Sequence, residues 1–179
     1  TKNFTHKYWG VEDNVKVLYP ASNSVDLGDQ FRRNISDVKE NIILSVGRFF
    51  VEGHNKKQLE MVLAYIDMVD GNHIPGWSLV LIGSINRKNE SDVKYFSELQ
   101  RLSEGYNITI ISDCDNETLI SYYRRSSIYW HLAGLGVLDP ECMEHFGMAV
   151  VEAMSYGCVP VGFNGGGLPE VLGDNLREN

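Results

Sequence analysis

The sequence is poor in cysteine, in basic residues and in long apolar runs, and each shortage excludes a class of protein. Three cysteines occur in 179 residues. Cys114, Cys142 and Cys158 lack the close pairing of a zinc site, so neither a disulfide framework nor a structural metal is expected. Lys and Arg number 16 against 24 Asp and Glu, which gives a net charge of -8. Because nucleic-acid binding needs a basic surface to replace phosphate counterions, a nucleic-acid partner is not expected.

No apolar run reaches the roughly 20 residues that a membrane-spanning helix needs. The polar and aromatic segment at residues 1–10 is also unlike a secretory signal. We therefore expect a cytoplasmic protein with reduced thiols. An apolar content of 43% and an aromatic content of 11% exclude disorder as the main state. The length allows one full domain, which would bury roughly 70% of the surface that the unfolded chain exposes.

Several motifs that mark common enzyme classes are missing from the sequence. It contains no GxSxG, HExxH, Walker A or GxGxxG motif in the context that each requires. Gly134-Leu135-Gly136 follows a predicted strand but lacks the third glycine and the following helix of a dinucleotide site. These absences weaken hydrolase, metalloprotease, nucleoside triphosphatase and dehydrogenase interpretations.

From Asn41 onward, short apolar runs alternate with longer segments of helical period. The apolar runs predict five strands, at Ile42–Val46, Ser78–Ile82, Ile108–Ile111, Ser127–Leu132 and Val159–Phe163. The longer segments predict helices at Lys56–Val69, Asp92–Ser103, Asn116 or Glu117 to Arg125, and Met148–Tyr156, and another begins at Pro169-Glu170. This alternation is typical of a doubly wound parallel sheet, a Rossmann-like α/β fold whose strands are buried on both faces.

The chain therefore divides into a lead-in segment at residues 1–40, with a short predicted strand at Val15–Tyr19, and a Rossmann-like domain at residues 41–179. Two helices carry apolar stripes that we expect to face the sheet. The stripes consist of Leu59, Val62, Leu63, Ile66 and Val69, and of Val93, Phe96, Leu99 and Leu102. Ligands of such sheets bind beyond the carboxyl ends of the strands. These ends are predicted at Gly47-Arg48, Gly83-Ser84, Ser112-Asp113, Ala133-Gly134 and residues 165–167.

Two glutamates lie eight residues apart around the start of the fourth predicted helix. Glu144 precedes the helix, where an acid is commonly explained by its attraction to the helix dipole. Glu152 lies inside the helix beside Val151 and Ala153, so we expect its carboxylate to be buried and to need hydrogen-bond donors. The hydroxyl groups of a ligand are such donors.

Other candidate residues follow the predicted strand ends or begin the helices after them. The backbone N–H groups of Phe146, Gly147 and Met148 lie at a helix start, which favours an anion. The glycine run that contains Gly166 and Gly167 either allows a close backbone approach or forms a flexible turn. Arg48, Lys56 and Lys57 supply cations that can hold a phosphate, although solvated lysines are common at helix starts. His131 is either a buried core histidine or part of the site.

In combination and in order, these residues resemble the C-terminal lobe of a retaining GT-B glycosyltransferase of family 4, over about Val15 to Leu172. The resemblance implies that Arg48 and Lys56 hold the donor diphosphate, with Lys57 as the alternate to Lys56. It further implies that Glu144 acts at the donor sugar and reaction centre and that Glu152 binds ribose hydroxyls. The remaining donor-binding residues that it implies are Gly47, Ser112, His131, Phe146, Gly147, Met148, Gly166 and Gly167.

The implied activity is transfer of a hexose from a nucleoside-diphosphate sugar, GDP-mannose or a UDP-sugar, to a glycan or lipid-linked acceptor with retention of configuration. Neither a cofactor nor a metal is expected, because the cations of Arg48 and Lys56 and the helix start at Gly147 can stabilise the diphosphate in place of a divalent ion. The sequence Glu-His-Phe-Gly with Val-Val-Glu resembles eukaryotic mannosyltransferases and also bacterial surface-polysaccharide enzymes. Members of the family have a second, N-terminal lobe that this sequence does not encode. We therefore expect a fragment that is inactive alone, from an enzyme that is cytoplasmic or peripheral at the inner face of a membrane.

Two alternatives stay open at this point. The first is a non-catalytic module that binds a nucleotide sugar or a phosphate, which the presence of both Glu144 and Glu152 disfavours. The second is a nicotinamide-dependent oxidoreductase on the same kind of sheet, which lacks its glycine fingerprint. A preference for a nucleoside diphosphate over NAD would separate a glycosyltransferase lobe from an oxidoreductase.

Overall fold

The computed structural model describes residues 38–139 and 142–173, together with five isolated positions before residue 38. The predicted strand at Val15–Tyr19 lies outside the described stretches. Five strands are present, β1 (Glu40–Val46), β2 (Ser78–Gly83), β3 (Ile108–Ser112), β4 (Ser126–His131) and β5 (Val159–Gly162). Five helices accompany them, α1 (Gln58–Asp70), α2 (Glu90–Ser103), α3 (Asn116–Arg125), α4 (Met148–Ser155) and α5 (Leu168–Leu172).

The strands form one parallel sheet in the order β3-β2-β1-β4-β5. The chain builds outward from β1 to β3 and then returns to the other side of β1 with β4. Strand order therefore reverses between β1 and β4, and a parallel α/β sheet binds ligands at such a reversal. The predicted doubly wound fold is confirmed, and it places the loops after β1 and β4 next to each other.

Apolar residues cover both faces of the sheet. On one face, α1 and α2 pack on β1 and β2, where the buried residues are Ile43, Phe49, Met61, Val62, Tyr65, Leu79, Leu81, Phe96 and Leu99. On the other face, α3, α4 and α5 contribute to a second cluster that includes Leu44, Tyr123, Tyr129, Val150, Ala153 and Leu168. Among the described residues, no helix is long and apolar enough to cross a membrane.

The predicted burial is wrong at two helix positions and at one edge of the sheet. Leu63 is 50% exposed and Val93 is 38% exposed, because the buried faces of their helices are centred on Met61 and Phe96. The expectation of burial on both faces holds for the central strands β1 and β2. It fails for β5, where Val159 is 62% exposed and an edge strand has a neighbour on one side alone.

Local capping residues fix where the helices begin. The Asn89 side chain accepts hydrogen bonds from the backbone N–H groups of Ser91 and Asp92 at the start of α2. Asp115 does the same for Thr118 in α3. Helix α1 begins at Gln58, two residues later than predicted, because Lys57 has a left-handed backbone conformation with a φ of 63°. Lys56 and Lys57 therefore lie before the helix and not in its first turn.

Candidate functional site

The carboxyl ends of β1 and β4 bring three loops together. The loop at residues 47–57 follows β1, the described residues 132–139 and 142–147 follow β4, and the loop at residues 163–167 follows β5. Contacts join them directly, since the His54 Nδ1 atom lies 3.1 Å from the Met143 carbonyl oxygen and the Gly167 N–H donates to the Glu144 carbonyl at 2.7 Å. The structure thus assembles predicted site residues that are up to 120 positions apart in sequence, from Gly47 to Gly167.

Glu144 is at the centre of this assembly. Its Oε2 atom accepts a hydrogen bond of 2.7 Å from the Lys56 Nζ atom and lies 3.2 Å from the His131 Nε2 atom. Its Oε1 atom accepts from the backbone N–H groups of Gly147 at 3.1 Å and Phe146 at 3.4 Å. Both carboxylate oxygens therefore contact donors of the protein itself, and the Glu144 side chain is 16% exposed.

These contacts stabilise the ionised form of Glu144. The neighbouring His131 imidazole, together with the hydrogen bond and charge of Lys56, holds the pKa of Glu144 well below its ordinary range against the opposing effect of burial. The His131 ring is close to the carboxylate but is not aligned for a well-formed hydrogen bond. The well-formed side-chain hydrogen bond to Glu144 is therefore the one from Lys56, and the His131 imidazole affects the carboxylate by lying close to it.

The structure distinguishes Lys56 from Lys57, which the sequence left as alternates. The Lys56 side chain reaches Glu144, whereas the Lys57 Nζ atom lies 3.3 Å from Glu60 on the next turn of α1. Gly47 makes room for the first of these contacts. A Cβ atom at Gly47 would lie 2.8 Å from the Lys56 Cγ atom. A side chain at that position would therefore push Lys56 from its path toward Glu144.

Arg48 lies beside the cluster without joining the Glu144 contacts. Its guanidinium carbon lies 4.8 Å from the centre of the Phe50 ring, and the residue is exposed. The Gln58 side chain donates hydrogen bonds to the carbonyl oxygens of Gly47 and Arg48, which fixes the backbone after β1. The Arg48 side chain is thus not part of the ion pair between Lys56 and Glu144, while Gln58 holds the backbone of its loop. Its diphosphate role stays a prediction.

The start of α4 has the geometry of an anion site. Gly147 precedes the helix with a φ of 85°, a left-handed conformation that glycine adopts without strain. This turn directs the N–H groups of Phe146 and Gly147 at the Glu144 carboxylate. The anion at this helix start is therefore the Glu144 carboxylate of the chain itself. Met148, the first residue of α4, is 44% exposed.

The glycine run after β5 packs against the Glu144 loop. A Cβ atom at Gly166 would lie 2.2 Å from the Glu144 carbonyl oxygen, and one at Gly167 would lie 1.8 Å from the His145 carbonyl oxygen. Two backbone segments approach each other closely here, and that approach requires glycine. The run is thus a packed contact of the described structure and not a free turn. Ligand contacts by Gly166 and Gly167 stay a prediction.

Glu152 has a donor partner that the sequence reasoning did not identify. The Tyr123 hydroxyl of α3 donates to the Glu152 Oε2 atom at 3.1 Å. Tyr123 is 2% exposed, and burial raises its pKa far above the ordinary range, so the hydroxyl keeps its proton. Glu152 itself is half-buried, which is less than predicted. The carboxylate is therefore oriented by Tyr123 and stays partly exposed.

At the end of β3, a polar group surrounds the predicted residue Ser112. The Arg87 side chain donates to the Ser112 hydroxyl at 3.2 Å and to the Asp113 carboxylate at 3.1 Å. Sequence reasoning missed Arg87 because nothing in the loop after β2 marks it. It also missed His54, whose ring centre lies 5.1 Å from that of His145. A histidine in the loop after β1 has no local signal that would have revealed this contact.

Two further observations concern where a metal ion or another ligand could bind. Within the described ranges, no three His, Cys, Asp or Glu residues cluster closely enough to hold a metal ion. A second concavity, of about 540 Å³, lies at the opposite, amino ends of β2 and β3. Its Tyr65 hydroxyl bonds to the carbonyl groups of Trp77 and Asn107, and its Tyr106 hydroxyl bonds to Asp70. These polar groups join the protein's own loops, so this cleft is less well prepared for a ligand.

Comparison with known proteins gives consistent results. The sequence pattern of the family described as "Glycosyl transferases group 1" matches residues 28–178. GDP-Man:Man(3)GlcNAc(2)-PP-Dol alpha-1,2-mannosyltransferase of Xenopus laevis is 26% identical over 174 residues, which are 93% of this chain and 33% of that protein. The chain thus spans about a third of the length of this curated relative.

Solved structures of glycosyltransferases share the fold. A glycosyltransferase from Rickettsia africae matches with a TM-score of 0.66 and 18% identity, over 97% of this chain and 45% of that chain. The C-terminal domain of a glycosyl transferase group 1 family protein from Francisella tularensis matches with a TM-score of 0.55 and 22% identity, over 89% of this chain and 74% of that domain. The sheet and its helices are therefore those of one lobe of a GT-B structure.

Proposed function

This chain belongs to the glycosyl transferases group 1 family, and from that premise we propose that it is the donor-binding lobe of a nucleotide-sugar-dependent hexosyltransferase. The observation that carries the proposal is the cluster of Lys56, Glu144 and the N-terminus of α4 at the strand-order reversal. This is where a parallel α/β sheet binds its ligand. The cluster offers the cation that a diphosphate needs, and the helix start adds the positive end of its dipole, although its Phe146 and Gly147 N–H groups donate to Glu144.

The proposed reaction transfers a hexose from a nucleoside-diphosphate sugar to a glycan or lipid-linked acceptor with retention of configuration. The bond between the anomeric carbon and the phosphate oxygen breaks, and its electron pair stays on the diphosphate. The anomeric carbon bonds to an acceptor hydroxyl oxygen, and the proton of that hydroxyl passes to the departing diphosphate. Lys56 stabilises the growing negative charge, because an ammonium has three donors and the Glu144 contact uses one of them. Arg48, on the same loop, adds a second cation. In this proposal, Lys56 and Arg48 stabilise the departing diphosphate without a metal.

The two glutamates take different roles in the proposal. Glu152 binds the ribose hydroxyls, since its carboxylate is oriented by Tyr123 and is partly exposed. Glu144 stays ionised at the reaction centre, where its partners keep it between Lys56 and the helix start. Ser112 lies at the end of β3 beside the proposed position of the base, and Gly166 and Gly167 hold the Glu144 loop in place.

GDP-mannose is the donor that we favour over a UDP-sugar. The relative from Xenopus laevis is named as a GDP-mannose enzyme and matches over nearly the whole described domain. The acceptor site belongs to the other lobe in this proposal, so the isolated chain binds donor but does not transfer sugar. The complete enzyme is proposed to be cytoplasmic, or peripheral at the inner face of a membrane.

Calorimetric titration of the chain with GDP, UDP and NAD, each with EDTA and with magnesium, tests this function. We expect GDP or UDP to bind in EDTA and to bind more tightly than NAD. GMP serves as the control for the diphosphate and should bind more weakly than GDP, because it lacks the second phosphate that Lys56 and the helix start would contact. Strict dependence on magnesium, or tighter binding of NAD, would contradict the proposal.

A non-catalytic module that binds a nucleotide sugar is the second candidate. One observation in the described structure favours it. Both carboxylate oxygens of Glu144 accept hydrogen bonds from the protein itself, so each already has a partner before a substrate binds. Turnover of the complete enzyme distinguishes the two. Glu144→Gln should abolish most transfer while GDP still binds if the chain is catalytic, whereas a binding module would show no transfer before the change either.

A further inference from the structure

Lys39 directly precedes β1 and joins the ends of two helices. Its Nζ atom donates hydrogen bonds to the carbonyl oxygens of Tyr123 at 3.2 Å, Ser126 at 2.9 Å and Tyr156 at 2.7 Å. These carbonyls lie at the C-terminal ends of α3 and α4, where carbonyl groups lack helical partners and the helix dipole favours a cation. An ammonium has three N–H donors, so one side chain can serve all three carbonyls. Lys39 therefore attaches the segment before β1 to both helices at once.

Both helix ends lead from Lys39 to the Glu152 carboxylate. The Tyr123 hydroxyl donates to Glu152 Oε2 at 3.1 Å, and the Tyr156 backbone N–H donates to the Glu152 carbonyl oxygen at 3.3 Å, about one turn along α4. The rings of Tyr123 and Tyr156 stack with their centres 5.7 Å apart and an angle of 5° between their planes. A side-chain hydrogen bond is lost by about 3.6 Å, so a shift of about half an ångström between the helix ends would release the Tyr123 contact.

We propose that Lys39 is a positioning residue for ribose recognition. It holds the ends of α3 and α4 together, so that the Tyr123 hydroxyl keeps the Glu152 carboxylate in the orientation that accepts the ribose hydroxyls. This inference rests on the proposed function, in which Glu152 binds the ribose. It assigns Lys39 to the three carbonyl groups and not to the donor, and it makes the segment before β1 an energetic part of the donor site.

A role of Lys39 in stability alone must be separated from this positioning role. The two roles differ in their effect on a matched pair of nucleotides, GDP and 2′,3′-dideoxy-GDP, which lacks both ribose hydroxyls. Partial unfolding reduces the apparent affinity for both nucleotides by the same factor, because only the folded fraction binds either of them. The ratio of the two affinities is therefore unaffected by a loss of stability, whereas a misplaced Glu152 carboxylate lowers it.

The experiment is calorimetric titration of the whole chain with both nucleotides, for wild type, Lys39→Met, Tyr123→Phe and the double variant. Wild type should bind GDP at least about tenfold more tightly than the dideoxy nucleotide, because hydrogen bonds to a charged group are the stronger ones. Lys39→Met should lower this ratio by about threefold to tenfold, as expected within one hydrogen-bond network. Tyr123→Phe should lower it by at least as much, and the double variant should lower it no further than Tyr123→Phe.

Glu40→Gln is the matched control. It removes the ion pair between Glu40 and Arg125, which also joins the start of β1 to the end of α3 but is exposed on both sides. This variant should keep the wild-type ratio. An unchanged ratio in Lys39→Met, an equal fall in Glu40→Gln, or a further fall in the double variant would overturn the inference.

Failure of the proposed function gives a different result. If wild type does not bind GDP, the nucleotide-binding proposal fails, and if wild type binds both nucleotides equally, the ribose role of Glu152 fails. In either case the inference about Lys39 fails with it. If Lys39→Met is unfolded at the temperature of the titration, Lys39→Gln takes its place, because it removes the charge but keeps N–H donors. A wild-type ratio in folded Lys39→Gln would overturn the inference in the same way.

Discussion

Replacing Lys56 and Lys57 in turn by methionine separates two neighbouring lysines that the sequence could not tell apart. Methionine keeps the length and apolar stem of lysine but removes the charge. Lys56 donates to Glu144 at 2.7 Å, with side chains that are 23% and 16% exposed. Lys57 contacts Glu60 at 3.3 Å, with side chains that are 20% and 41% exposed. The two lysines are similarly buried, so the substitutions differ in the carboxylate that loses its partner, which is more buried at Glu144 than at Glu60.

The expected magnitudes follow from that difference. A charge-assisted hydrogen bond in a part-buried site contributes about 1.5–3 kcal/mol to the free energy of unfolding. Lys56→Met leaves Glu144 with His131 and two backbone N–H groups, so the loss should stay within this range and below the cost of an unpaired buried charge. An ion pair with one well-exposed partner, such as Lys57 and Glu60, contributes about 0.2–1 kcal/mol. Lys57→Met should therefore have little effect.

Thermal melting and GDP titration of both variants provide the assay. For a domain of this size, about 1.5–3 kcal/mol corresponds to a fall in Tm of about 3–12 °C. Lys56→Met should show that fall and should also weaken GDP binding by at least about tenfold, whereas Lys57→Met should stay near wild type in both measurements. Equal losses in the two variants, or a larger loss for Lys57→Met, would refute the assignment of Lys56 to the site.

Three further changes test other parts of the structure. Gly47→Ala should weaken GDP binding with a smaller loss of Tm, because its Cβ would displace the Lys56 side chain at 2.8 Å, and titration beside melting checks this. Gly167→Ala should lower the unfolding free energy by about 2 kcal/mol or more, since its Cβ would lie 1.8 Å from the His145 carbonyl oxygen; an unchanged denaturation midpoint would show that the loops do not touch. The pKa of Glu144 is lower folded than its ordinary 4.5, so its stabilisation is present above pH 4.5 and is lost as the pH falls below it. Denaturation across this range should show a shallower acid loss for Glu144→Gln than for wild type.

The sheet and helices could be predicted because their signals are local. Strands such as Ser78–Gly83 are short apolar runs, and α2 and α3 begin at capping residues that the sequence displays. The position of the site at the carboxyl ends of the strands then follows from a general rule for parallel sheets. Burial at single positions was less predictable, because Leu63 and Met61 are both apolar residues of α1 and the packing of the helix decides which faces the core.

The details of the site could not be predicted because they depend on contacts across distant loops. Both Lys56 and Lys57 precede α1, and the left-handed backbone at Lys57 decides which of them turns toward Glu144. The partner of Glu152 is Tyr123 on another helix, 29 positions away. The approach of Gly167 to His145 is equally non-local. Spacing along a chain does not encode these pairings.

The central claim is that a donor diphosphate binds between Lys56 and the start of α4, at the carboxyl ends of β1 and β4. A crystal structure of the chain grown with GDP and EDTA tests it most directly. We expect phosphate oxygens within hydrogen-bond distance of the Lys56 Nζ atom and the ribose beside Glu152. GDP bound at the amino ends of the strands, near Trp77 and Tyr106, or diphosphate density away from Lys56, would contradict the claim.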